Sequence, residues 1–256
     1  MPRRIVVKFG SGVLTSTDRV DLDGDQLEKL TAAVAALRLA GDECLVVSSG
    51  AVAAGLPSFE LSQRPEELGI LQACAAVGQT RLMHYYETLF REHGLHVGQL
   101  LLTHDDLRIS ERRQNVSNTL NHLLTFPNTV PVINENDSVA VEELRYGDND
   151  LLSADVASLI GAETLVLLTT VDGLFPPDSE EIMAQVDDID SVLGYATLEK
   201  GNFSVGGMAT KLRAAQRALS AGIDVYIANG RRPDQLVDLL LGKGVGTYFP
   251  ARVRCS

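Results

Sequence analysis

Ile5-Val-Val-Lys8-Phe-Gly10-Ser-Gly12 runs straight from an apolar strand into a glycine turn. Ile5 to Val7 has the unbroken apolar character of a strand buried on both faces. The glycines directly after it let the backbone turn sharply and approach a ligand closely. Working outward, Leu27, Leu30, Val34 and Leu37 recur at helical spacing, Gly41 stops that helix, and Leu45-Val-Val47 reads as the next strand. The alternation continues through a helix at about 66–93, a strand at 97–102, a helix at 111–125, a strand at 130–133 and a helix at 150–160. A strand at 165–168, a helix at 208–221, a strand at 225–227, a helix at 235–241 and a strand at 247–249 complete it. Apolar strands separated by helices predict an α/β fold, a mostly parallel central sheet sandwiched by helices. One domain over 1–256 is expected, with a hinge near 160.

The 256 residues include 22 basic and 34 acidic side chains, a formal charge of −12, with 45% hydrophobic residues. These are globular proportions. The negative field argues against nucleic acid or an anionic membrane as the main partner. No run approaches the ~18 apolar residues of a membrane span. Met1-Pro-Arg-Arg-Ile-Val-Val-Lys8 enters a strand too soon for a signal peptide, so a cytoplasmic protein is expected. Three cysteines without a CxxC pattern indicate neither a disulfide frame nor a zinc site. Cys44 and Cys74 lie in apolar runs and read as small core residues.

In this fold class ligands bind beyond the carboxyl ends of the strands, and four turns there are unusual. The first is Lys8-Phe-Gly10-Ser11-Gly12, which places one of only five lysines beside a glycine–serine turn. It is not a Walker loop, since GxxxxGK[ST] occurs nowhere. The second is Ser48-Ser49-Gly50-Ala51-Val-Ala-Ala-Gly55. Its small residues at a helix start make either an anion cradle or a site of tight helix packing. The third pairs Asn134-Glu-Asn-Asp137 with Gly147-Asp148-Asn149-Asp150. Such dense polar clusters are costly unless they bind something: an ammonium group, the lysines, or magnesium. The fourth is Gly206-Gly207-Met208-Ala209-Thr210-Lys211, glycines and then a lysine in the first helical turn, which suits phosphate.

Other signals fail. Asp21-Leu-Asp23-Gly-Asp25 imitates half a calcium loop, but Gln26 and Ala32 stand where the turn glycine and the bidentate glutamate belong. The five histidines form neither HExxH nor a triad with a serine elbow, and no metal-ligating set is indicated. The acidic stretch from Asp178 to Asp190 reads as a solvated loop face.

Two lysines on phosphate-cradling turns, a serine–glycine cradle and an Asp/Asn cluster amount to phosphoryl-transfer equipment without a Walker motif. Lys8-Phe-Gly-Ser, Ser48 to Gly55, Val130-Pro-Val-Ile-Asn-Glu-Asn-Asp137, Gly147-Asp-Asn-Asp150 and Gly206 to Lys211 also resemble, in order and wording, the glutamate 5-kinase branch of the amino acid kinase superfamily. The likeness runs from about 4 to 250. Acetylglutamate, aspartate, carbamate and uridylate kinases share the lysine and glycine turns but word the Asn-Glu-Asn-Asp loop differently. The family usually has Thr-Asp where Thr169-Thr170 stands here, and Gly-Thr is common where Ser204-Val205 stands.

The resemblance implies a carbamate-kinase-like αβα sandwich, with a glutamate-binding part at about 1–160 and a nucleotide-binding part at about 161–250. Many bacterial members carry a C-terminal PUA domain, and the likeness here is to the kinase domain without it. It implies ATP-dependent phosphorylation of the L-glutamate γ-carboxylate to L-glutamyl 5-phosphate, the first step of proline biosynthesis, with Mg2+ carried by the nucleotide. Lys8, Lys211, Asp148 and Asp150 would be catalytic. Ser49, Gly50, Ala51, Asn134, Asp137 and Asn149 would hold glutamate. Lys8, Gly10, Ser11, Thr169, Thr170 and the stretch Val205, Gly206, Gly207, Met208, Ala209, Thr210 and Lys211 would line the nucleotide site. Feedback inhibition by proline, a homodimer or tetramer (Ala73 to Val77 one candidate contact) and hand-over to glutamyl phosphate reductase are further expectations. A sibling kinase for another amino or carbamoyl acid and a catalytically silent amino-acid sensor are the competing readings.

Overall fold

The computed structural model describes residues 2–16, 21–140, 149–177, 179–195 and 207–251. Seven strands form one sheet: β1 (Arg4–Phe9), β2 (Glu43–Ser48), β3 (His96–Leu102), β4 (Thr129–Glu135), β5 (Thr164–Thr169), β6 (Asp224–Asn229) and β7 (Thr247–Phe249). Their spatial order is β3-β4-β2-β1-β5-β6-β7. Every neighbouring pair is parallel except β6 and β7. The helices are α1 (Ser11–Leu14), α2 (Gly24–Leu39), α3 (Ala51–Gly55), α4 (Leu68–Glu92), α5 (His104–Arg108), α6 (Ser110–Thr125), α7 (Asn149–Ile160), α8 (Met208–Ser220) and α9 (Leu236–Leu240). The long elements stand within about two residues of their expected bounds. The helix start expected after β2 is α3, while the one-turn helices α1 and α5 were not anticipated, because four or five residues are too few to show a period.

The pleat of each strand divides the core. Ile5, Val7 and Phe9 face α2, α4 and α9, packing with Leu27, Leu30, Leu82, Tyr86 and Leu236. Val6, between them, faces α6, α7 and α8 with Leu120, Leu152 and Leu212. Successive side chains point to opposite faces, so a strand covered on both sides must be apolar at every position. That is why β1, β2 and β5 read as unbroken apolar runs. At the edge, β3 has only one neighbour and is the least buried strand on that side, with Leu101 exposed.

Local signals behave as their chemistry requires. Asp23 caps α2 by accepting from the Gln26 backbone N–H at 3.1 Å, so the stretch resembling a calcium loop is a helix start. Gly41 ends the same helix region at φ +98°, a conformation that favours glycine. Cys44 and Cys74 are buried, and burial pushes the Cys44 thiol up to about 12. Cys255 lies outside the described residues. The acidic face around Ile189–Ser191 is exposed, as expected of a solvated loop. Among the described residues, no helix is long and apolar enough to cross a membrane.

Candidate active site

Lys8 occupies the fifth position of β1, so the pleat puts its side chain on the face of Val6, under α7 and α8. Asn149 and Asp150 are the first two residues of α7, and Lys211 lies in the first turn of α8 after Gly207. The three charged groups meet there. Asp150 Oδ1 stands 2.5 Å from Lys8 Nζ, and Oδ2 stands 3.1 Å from Lys211 Nζ. Thr210 Oγ1 donates to the same Oδ2 at 2.8 Å. All three charged side chains are at most 5% exposed. Burial alone would raise the Asp150 carboxyl, but the two ammonium groups and its hydrogen bonds outweigh it and hold the pKa below the ordinary aspartate value. Burial lowers the pKa of Lys211, with Asp150 opposing and Lys8 assisting. Lys8 therefore does not extend from its strand end into solvent.

The turn after β1 fits closely against its neighbours. A Cβ on Gly10 would lie 3.1 Å from the Leu168 carbonyl oxygen and 3.8 Å from Lys8 Nζ. One on Gly12 would lie 3.1 Å from Thr170 Cγ2. A side chain at either position would be crowded, and the turn brings Gly10 against Leu168 of β5 and Gly12 against Thr170 just after it. Met208, at the start of α8, packs against the core.

A second cluster adjoins the first and carries no charge. Asn149 Nδ2 donates to Ser49 Oγ at 3.2 Å and to Asn134 Oδ1 at 3.0 Å. Asn134 Nδ2 in turn donates to Gln79 Oε1 on α4 at 2.8 Å. The Glu135 backbone N–H donates to Asn134 Oδ1 at 2.9 Å and to Asn149 Oδ1 at 3.3 Å. Asn134 is on the α4 face of β4 and Asn149 heads a helix on the other face, so this network joins both layers at the carboxyl edge of the sheet. Two residues past β4, half-buried Asp137 exerts its charge on the Arg64 guanidinium. Asn134 and Glu135 are both buried, so they do not belong to a solvated turn.

The Ser48 to Gly55 stretch shows the tight helix packing that was one of its two readings. A Cβ on Gly55 would fall 1.9 Å from the Cys74 carbonyl oxygen, and one on Gly78 would fall 1.8 Å from the Ala51 carbonyl oxygen. Backbone touches backbone between α3 and α4, so Gly55 and Gly78 must be glycine for packing. Gly50 precedes α3 at φ +98°, and Ser49 belongs to the neutral cluster.

Residues 3–229 match the amino acid kinase family. The chain belongs to that family. It is 44% identical to a glutamate 5-kinase of Burkholderia mallei (strain SAVP1), over 98% of this chain and 68% of that protein. It is 43% identical to the glutamate 5-kinase of Burkholderia multivorans over the same shares. These place this amino acid kinase on the glutamate 5-kinase branch. Among solved structures, carbamate kinase from Giardia lamblia bound to citric acid shares the fold at TM-score 0.68 and 16% identity, covering 97% of this chain and 98% of that one. UMP kinase from Ureaplasma parvum does so at TM-score 0.62 and 15% identity, covering 98% of this chain and 100% of that one.

The sequence of this amino acid kinase did not point to Gln79, nor to the bond that Thr210 makes with Asp150. Gln79 follows Gly78 on α4, and its Nε2 is buried. Its only signal was an amide directly after the small-residue run Ala75-Ala-Val-Gly78. Thr210, expected at the nucleotide, is bonded to Asp150. Asp148, Val205 and Gly206 lie outside the described residues.

Proposed function

We propose that this amino acid kinase transfers the γ-phosphoryl group of ATP to the γ-carboxylate of L-glutamate, giving L-glutamyl 5-phosphate for proline biosynthesis. The observation that carries the reading is the adjacency of the two clusters at Asn149 and Asp150, one suited to phosphates and one to a small polar substrate. A γ-carboxylate of ordinary pKa about 4.3 is already ionised at neutral pH, so the reaction needs no general base. The obstacle is bringing that anion up to a polyanionic phosphate. Positioned positive charge meets it, and Lys8 and Lys211 are held by Asp150 for this role.

On this reading Ser49, Gly50, Ala51, Asn134 and Asn149 hold glutamate, and half-buried Asp137 suits its α-ammonium group. Gly10, Ser11, Thr169, Thr170 and residues 207–211 face the nucleotide, with Thr210 and Met208 acting by positioning. Asp148, Val205 and Gly206 keep the roles that the resemblance implies. The glutamate side then falls within about 1–160, and the nucleotide side within 161–250 joined by the Gly10–Ser11 turn, on one continuous sheet. Magnesium would enter with ATP. The described residues offer no group of three His, Cys, Asp or Glu side chains spaced for it, and no step here passes through the metal.

Proline shares with glutamate an α-carboxylate and a cationic nitrogen, which supports competition at Asp137 and Asn149. Saturating proline at low glutamate should slow the reaction; an unchanged rate would exclude it. A cytoplasmic location, a homodimer or tetramer, and hand-over of the labile acyl phosphate to a reductase complete the reading. The test uses purified chain, MgATP and hydroxylamine, which traps an acyl phosphate as a coloured hydroxamate. Colour with glutamate, and none with aspartate or N-acetylglutamate, is the expected outcome. Colour with another acid would favour the sibling kinase, and none at all the silent sensor.

A further inference from the structure

Arg231 lies in the loop after β6, far along the chain from the glycine turn that follows β1, yet the two are tied together. Its Nη2 donates to the carbonyl oxygens of Gly12 at 2.8 Å and Thr15 at 2.5 Å. Its Nη1 pairs with Asp23 Oδ2 at 3.1 Å, while Oδ1 of that carboxylate caps α2. The neighbouring backbone closes the circuit. Gln26 Nε2 donates to the Gly230 carbonyl at 2.5 Å, and the Gly230 N–H donates to the Thr169 carbonyl at 2.8 Å. A Cβ on Gly230 would fall 2.6 Å from Val13 Cγ1, so this loop lies directly on α1. Asn229 fixes the loop from its other side, accepting from the Arg231 N–H at 2.9 Å and donating to Asp172 at 2.8 Å.

A helix of one turn cannot hold itself together, and its last carbonyls have no partners within it. Alpha-helix α1 spans four residues, Ser11 to Leu14. Arg231 bonds the carbonyls of Gly12, the second residue of α1, and of Thr15, its C-cap, with the rigid fork of a guanidinium, whose planar donors fix direction as well as distance. The other end of α1 carries Gly10 and Ser11, immediately after Lys8. We infer that Arg231 is a positioning residue for phosphoryl transfer: it sets where the turn presents the Ser11 and Gly12 N–H groups, the Gly10 N–H being bonded to the Leu168 carbonyl, without touching either substrate. This rests on the kinase reading above. Nothing in the neutral cluster of Ser49, Asn134 and Asn149 contacts Arg231, so the inference separates the two substrates.

The test is steady-state kinetics of the full chain carrying Arg231→Ala or Arg231→Lys, with thermal melting of each. Misplacement of a reacting group by an ångström costs up to about 10²-fold, so Arg231→Ala should lower kcat by roughly 10- to 100-fold. The KM for glutamate should stay within about two-fold. Arg231→Lys, which keeps the charge and one donor direction, should recover part of the loss, and millimolar guanidinium should partly rescue Arg231→Ala. An unchanged kcat would overturn the inference. So would a glutamate KM that rises in step with a falling melting temperature, which is the mark of general loosening. Should Arg231→Ala not fold, the same split in Arg231→Lys decides. Wild-type chain inactive on glutamate would sink the kinase reading, whereas active wild type with an indifferent Arg231→Ala would sink only this inference.

Discussion

Asn149 and Asp150 are consecutive residues, yet they serve unlike regions. Neighbours on a helix are about 100° apart around its axis and do not share a face. Asp150 therefore turns to Lys8 and Lys211 under the centre of the sheet, while Asn149 reaches Ser49 and Asn134 at the ends of β2 and β4. The charged region depends on the strength of its field, because burial magnifies both attraction and the cost of a missing partner. The neutral region depends on direction, because each amide contributes only about 0.5–1.5 kcal/mol but fixes which atoms can be met. On the proposed reading, one region favours transfer of a charged group and the other selects what receives it.

The largest expected effect breaks the charged side. Asp150→Asn should lower kcat by about 10²–10³, as loss of a placed electrostatic contact does. Removing one partner of a buried charge cluster should also cost about 3–5 kcal/mol in denaturant unfolding. Because folding lowers the Asp150 pKa, its stabilisation is present above its unfolded pKa of about 3.9 and is lost as pH falls through the lower folded value. Unfolding of wild type and Asp150→Asn should therefore converge in acid, and curves that stay parallel would refute the assignment. Lys211 has the opposite charge type. With its pKa below that of an ordinary lysine, it loses its proton earlier, so kcat should fall on the alkaline side before pH ~10.4. Over the same window the native chain binds fewer protons than the unfolded one, so this group's contribution to stability rises as activity falls.

Next in size, Asn149→Ala should raise the KM for glutamate by about 10- to 100-fold, from loss of its hydrogen bonds to Ser49, Asn134 and Glu135. It should leave the alkaline limb in place. If it instead moved that limb, the two regions would not be separable. Gly78→Ala tests what supports the neutral side: overpacking against Ala51 should cost about 1–3 kcal/mol or more and shift α3, raising glutamate KM with less effect on kcat. The smallest effect belongs to Tyr86→Phe. Tyr86 Oη is 2.7 Å from Ser48 Oγ, which also donates to the Ser49 carbonyl, so stability should fall by about 1 kcal/mol and kinetics should hold. A large loss of activity would place Tyr86 in the site.

Several features were legible because they are local. The apolar run of β1, the helical stripe from Leu27 to Leu37 and the glycine turn at Gly10 each follow from residues close in sequence, and the parallel sheet follows from their alternation. The Asn134 and Asn149 segments were legible as a pair because so many polar groups at strand ends are costly without partners. Gln79 was not legible, since an amide on a long helix is ordinarily solvated until the fold brings β4 against it. The role of Arg231 was equally hidden, for nothing near it in the chain points to Gly12 and Thr15.

The sequence by itself determined which residues carry charge, where strands and helices alternate, and that two lysine turns and an Asp/Asn pair should converge at the sheet's carboxyl edge. Tertiary structure alone decided that a single carboxylate, Asp150, bridges both lysines, that Thr210 turns to that carboxylate, and that α3 and α4 meet backbone to backbone. The reason is physical. Secondary structure and chain reversals arise from interactions a few residues apart, whereas the sharing of one buried carboxylate depends on distances between segments about 60 residues apart or more, which only packing sets.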